Sequence, residues 1–120
     1  MPTTDPERRL RDIIQNINRI RVHVAGMNAA TFGASAIAQD AVERCFGRIS
    51  EAAVKLGTYM DGRYPAIPWV DVRSLGNVLR HEYDDVDEEL VWGMIETDLE
   101  PLRVACETEI RRLASSASTG

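Results

Sequence analysis

The sequence predicts an all-α chain: a bundle of four main antiparallel helices plus a short helical turn, with the fourth helix kinked near Pro101. Three observations carry this reading. Apolar residues recur at intervals of three and four in four long segments. No segment alternates with the period of two that a half-buried strand requires. The segments are separated by capping residues, glycine stops and prolines. At 120 residues the chain has the length of one domain, large enough to bury about two thirds of its unfolded surface without a metal or disulfide. The domain is expected over residues 1–114, with the Ser-rich segment 115–120 as a flexible tail.

The first helix is expected to begin at Thr4, where Thr4-Asp5-Pro6-Glu7 combines a cap, a first-turn proline and a capping-box glutamate. Leu10, Ile13, Ile14, Ile17, Ile20 and Val24 form its apolar stripe, Arg8, Arg11, Arg19 and Arg21 lie opposite, and Gly26 stops it. A single turn anchored by Phe32 follows, and Ser35 caps the second helix, expected over 36–56. Ile37, Ala41, Val42, Cys45, Phe46, Ile49, Ala53 and Leu56 are expected to face inward there, with Gly57 at the end. Pro65 and Pro68 bar a helix through 58–68, where tyrosines read as ordinary loop residues. The third helix starts at Pro68 or Trp69. It carries Trp69, Val72, Leu75 and Leu79 on one side, with Arg73, Asn77, Arg80 and His81 on another. The fourth is expected to be capped by Asp87, with Leu90, Val91, Met94, Ile95, Leu99, Leu102, Cys106, Ile110 and Leu113 inward, and kinked or split by Pro101 near Thr97.

The net charge of −5 argues against a general nucleic-acid coat. The charge is segregated, however. Residues 84–100 hold eight acids and no base, which leaves the remainder at +3. Thirteen of the fourteen bases are arginine, the side chain suited to bidentate phosphate contact; a codon bias toward arginine explains the same count. Cys45 and Cys106 fall inside helical apolar patterns, as reduced core thiols do in a cytosol, and form no CxxC pair. No apolar run approaches the length of a membrane span. These features lead to the expectation of a soluble, cytoplasmic protein.

The candidate chemistry concentrates in Arg73–Asp87, at the end of the third helix and the turn beyond. His81 there reads as a surface residue, a structural hydrogen bonder or a general acid or base. His23 is far along the chain and no HxH or HExxH spacing exists, so no metal or other cofactor is expected. Asp84, Asp85, Asp87, Glu88 and Glu89 read first as cap and solvated face. A histidine beside arginines can cleave RNA without metal, because the imidazole moves a proton and the guanidinium stabilises charge on phosphorus. Arg80 and His81 are consecutive and point about 100° apart, so a compact pocket forms more easily where two copies of this helix face each other.

The segment Arg63-Tyr-Pro-Ala-Ile-Pro-Trp-Val-Asp-Val-Arg-Ser-Leu-Gly-Asn-Val-Leu-Arg-His-Glu-Tyr-Asp-Asp-Val-Asp87 resembles the HepT-like branch of the HEPN superfamily. So do Val91-Trp92, Asp98-Leu-Glu-Pro-Leu102, Asp40-Ala-Val-Glu-Arg44 and Ile49-Ser-Glu-Ala52. The resemblance implies an all-α homodimer whose Arg-x4-His-x-Tyr motif forms a metal-independent endoribonuclease site at the dimer cleft. It also implies a toxin partnered by a minimal nucleotidyltransferase antitoxin that attaches AMP to the motif tyrosine, with assembly beyond the dimer open. The family histidine falls on His81, the tyrosine on Tyr83, and the polar residue after the family arginine on Asn77. Gly76 stands where the arginine belongs. Either Arg80 or Arg73 substitutes from a neighbouring turn, or the protein is a weakened or inactive module that binds a nucleotidyltransferase or a nucleotide. An Arg80–Asp84 surface ion pair is the non-functional alternative for Arg80.

Overall fold

Helix α1 spans Pro6–His23 and is capped by Asp5, whose carboxylate accepts from the Arg8 N–H at 3.2 Å. The cap is therefore one residue later than expected at Thr4. Pro6 takes the first helical position, where its missing N–H costs nothing, and the preceding residue becomes the cap. Glu7 closes no capping box and instead pairs with Arg11 one turn on. The computed structural model describes the backbone of residues 4–81 and 88–119, and side chains within 4–76 and 88–117.

Leu10, Ile13, Ile17 and Ile20 are fully buried. After α1 the chain turns through Gly26, whose φ of 78° suits a residue without a Cβ. Helix α2, Ala29–Gly33, opens with a reciprocal cap in which Asn28 and Thr31 exchange two bonds of 2.9 Å. It seats Phe32 in the core.

Helix α3 spans Ala36–Leu56, capped as expected by Ser35. It packs on α1, α2 and α4. Ile37, expected inward, is 86 % exposed. The buried row runs through Ala38, Val42, Cys45, Phe46, Ile49, Ala53 and Leu56, and Ile37 is one step of about 100° off it.

Helix α4 spans Trp69–His81. The predicted fourth helix is two: α5, Glu88–Thr97, and α6, Leu99–Thr119. Pro101 has no N–H to give Thr97, and its ring clashes with that carbonyl, so the helix breaks at Asp98. Leu90, also expected inward, is 63 % exposed, because Val91 holds the buried register of α5. Trp92 tilts against Phe32 with ring centroids 5.4 Å apart and so ties α5 to α2. The expected tail begins as helix, since α6 continues to Thr119. All described elements are helical. The expected cap at Asp87 lies outside the described residues, as do the side chains of Asn77, Leu79, Arg80 and His81 and all of Tyr83.

The segment between α3 and α4 is fixed from α6. Glu109 is 0 % exposed. Its Oε2 accepts from the Tyr59 hydroxyl at 2.5 Å and its Oε1 from the Tyr64 hydroxyl at 3.1 Å. Arg112 donates to both oxygens at 2.9 and 2.7 Å. The Arg112 guanidinium foremost, helped by the two hydroxyls against burial, holds the Glu109 carboxyl down to about 2.

Two outcomes are expected. Glu109→Ala leaves two tyrosines and an arginine without their acceptor and lowers unfolding stability by about 3 kcal/mol in denaturant titration. The folded Glu109 value lies below the unfolded glutamate value of about 4.3, so its contribution is complete above that value and is lost as pH falls through the folded one. The melting temperature should decline from about pH 5 downward, and Glu109→Gln should flatten that decline. An equally steep acid limb in Glu109→Gln would assign it to other carboxylates.

Candidate active site

The start of α4 is built from the loop before it. The Trp69 indole N–H donates to the Tyr64 carbonyl at 3.0 Å, and the ring is buried. One turn on, Arg73 is committed. Its two terminal nitrogens reach the Asp61 carboxylate at 2.8 and 2.9 Å, and one also donates to the Gly57 carbonyl at 2.8 Å. The Ser50 hydroxyl of α3 donates to the Arg73 carbonyl at 2.8 Å. The hydrogen bonds from Arg73 hold the Asp61 carboxyl below the usual range, and Asp61 raises Arg73 in turn. The fork is therefore already bidentate to a carboxylate, the arrangement in which a guanidinium is hardest to redirect.

Beyond Arg73 the helix continues through buried Gly76 to His81. Arg73, Asn77, Arg80 and His81 thus belong to one continuous helix whose first turns are pinned to α3 and the preceding loop. Val70 on α4 remains 65 % exposed. Beside α4 an apolar groove opens, lined by Ile67, Val72, Leu75, Met94 and Leu102.

Among the described residues no three His, Cys, Asp or Glu side chains group as a metal site would require. Burial pushes the Cys106 thiol up to about 12 and raises the Cys45 thiol, so neither is a ready nucleophile. Among the described residues no helix is long and apolar enough to cross a membrane.

Sequence reasoning missed the supporting acids Asp61 and Glu109 and treated Tyr59 and Tyr64 as ordinary loop tyrosines. A signal existed for Glu109: it stands on the apolar stripe Leu102, Cys106, Leu113, three residues before Arg112. Asp61 gave none, because its partner lies twelve residues on across a loop.

Comparison with known proteins places these features in a family. The family model described as "Ribonuclease HepT-like" matches residues 13–109. The protein named "Putative RNase MJ0127" from Methanocaldococcus jannaschii is 30% identical over 95 residues, covering 79% of this chain and 78% of its own. "Putative RNase MJ1380" of the same organism is 24% identical over 107 residues, covering 89% and 98%. No solved structure matches at a significant level. With most of its length matched, this all-α chain belongs to the HepT-like ribonuclease family of the HEPN superfamily.

Proposed function

We propose that the chain is a metal-independent endoribonuclease acting at a homodimer cleft, with His81 as general acid or base and Arg80 as the phosphate clamp. The observation that carries the reading is the family match over 13–109, which spans His81 and Tyr83. The commitment of Arg73 to Asp61 supports Arg80 over Arg73 as the substitute for the arginine missing at Gly76. Position 80 lies one helical turn beyond position 76 on α4. Asn77 orients the scissile phosphate by hydrogen bonding. A second copy brings its own α4 to the cleft; the exposed Val70 and the apolar groove beside α4 suit that contact.

The reaction needs no external nucleophile. The ribose 2′-hydroxyl loses its proton to a base, its oxygen attacks the adjacent phosphorus, and the 5′-oxygen leaves with a proton, giving a 2′,3′-cyclic phosphate and a 5′-hydroxyl. Imidazole serves one of the two proton transfers, and guanidinium stabilises the charge on the phosphoryl oxygens. In the cell the enzyme acts as a toxin. A minimal nucleotidyltransferase antitoxin attaches AMP to Tyr83, which places bulk and negative charge in the pocket and repels the RNA backbone.

Gly76 favours a second reading, a weakened or inactive module that binds the nucleotidyltransferase or a nucleotide. Cleavage of tRNA and mRNA by the purified protein separates the two. His81→Ala should lower kcat by about a hundredfold or more, and Arg80→Ala by a similar factor. Arg73→Ala should instead cost about 1–2 kcal/mol of stability with kcat retained in the folded protein. Equal cleavage by wild type and His81→Ala rejects the enzyme reading, and loss of kcat in a fully folded Arg73→Ala returns the clamp to Arg73. Co-expression with the nucleotidyltransferase should add an adenylyl mass that Tyr83→Phe abolishes; an unmodified wild-type mass counts against the antitoxin relationship.

A further inference from the structure

Among the described residues seven arginines form ion pairs with acids. Arg8, Arg19, Arg44, Arg48 and Arg111 form none, and of these Arg19, Arg44 and Arg48 line two adjoining cavities, which together make a groove between α1 and α3 and share Gln15, Arg19 and Arg48. All three line the same cavity beside Cys45, and their guanidiniums oppose the rise that burial gives its thiol. Arg44 and Arg48 are one turn apart on α3, with Arg19 facing them from α1. The groove runs on past Arg48 to Lys55, about 16 Å along the helix axis from Arg44. Its acids are engaged with their own cations, Asp12 with Arg9 and Glu51 with Lys55. The open arginines therefore keep their charge for a ligand. At the floor Asn16 is 5 % exposed; its amide donates to the Asp12 carbonyl at 2.8 Å, and its Oδ1 has no hydrogen-bond partner.

We infer that the α1–α3 groove is a second RNA contact, an exosite in which Arg19, Arg44 and Arg48 hold the phosphodiester backbone of a single strand away from the scissile bond. The inference rests on RNA being the substrate. Arginine suits the task because its planar fork takes two oxygens of one phosphate. Two guanidiniums a helical turn apart, with a third across the groove, follow successive phosphates of an extended strand. Ribose hydroxyls of that strand are donors of the kind the buried Asn16 Oδ1 lacks.

The test is fluorescence anisotropy on His81→Ala protein with a labelled single-stranded RNA longer than the groove. Adding Arg19→Gln and Arg48→Gln should weaken binding about tenfold and reduce the salt slope by about 1.4. Arg8→Gln with Arg111→Gln removes the same charge from outside the groove and should do neither. Equal losses from both pairs, or from neither, overturn the exosite. With His81 intact, Arg19→Gln plus Arg48→Gln should raise KM for long RNA and leave kcat/KM for a dinucleotide unchanged; an equal loss on the dinucleotide also overturns it. If wild-type protein cleaves no RNA, the ribonuclease reading fails while the anisotropy result still decides the groove. Should the double variant fail to fold by circular dichroism, Arg44→Gln carries the same test with half the slope change.

Discussion

A carboxylate with no surface in water persists only if donors replace the water it has lost; unpaired, its burial costs several kcal/mol. Glu109 meets that requirement with four hydrogen bonds, two from tyrosine hydroxyls and two from Arg112. The two tyrosines come from the connection between α3 and α4, a run of hydrogen-bonded turns without a helix of its own. Tyr64 then gives its carbonyl to the Trp69 indole at the start of α4. One charge on α6 thereby sets where the third long helix begins. The acid cannot be satisfied unless the loop is in place, and the loop is held in turn by buried Met60 and by Arg73.

A second anchor lies one turn into α4. Arg73 clasps Asp61 and the Gly57 carbonyl, while Ser50 holds the Arg73 carbonyl from α3. A helix pinned at Trp69 and again at Arg73 projects its later turns from a fixed base, as a site requiring sub-ångström placement needs. The same anchor limits what Arg73 can do. Taking its fork to a phosphate would strip Asp61 of its partner, which is why the proposal gives the clamp to Arg80.

Most of the fold was legible because it rests on local rules. The span of α3, its Ser35 cap, the Phe32 turn and the break forced by Pro101 each depend on residues within a turn or two of one another. The errors at Ile37 and Leu90 came from reading the apolar stripe one residue wide of its axis, where a single step of about 100° separates core from solvent. Tertiary partnerships were not legible. Nothing in the order of residues ties Tyr59 to Glu109 fifty positions away, or Asp61 to Arg73 across a loop with two prolines. Of the candidate site, the chain order placed Arg73, Asn77, Arg80 and His81 on one helix, and α4 does run from Trp69 to His81. That Arg73 has a structural partner required the three-dimensional arrangement.

Net charge is a poor guide to the local field of this protein, because its acids are spread unevenly along the chain. Exposed charges are largely screened beyond about 8–10 Å at physiological salt, so a phosphate responds to its immediate neighbours and not to the sum over the chain. The described acids of the 84–100 segment lie on α5, at the break at Asp98 and in the first turn of α6, where Glu100 pairs with Arg21 and Arg103, and α5 packs mainly on α2 and α6. The open arginines lie between α1 and α3. A strand approaching that groove meets uncompensated guanidiniums, while the acids there are neutralised by their own partners. The proposed exosite would in this way let an acidic chain present a local cationic track to RNA.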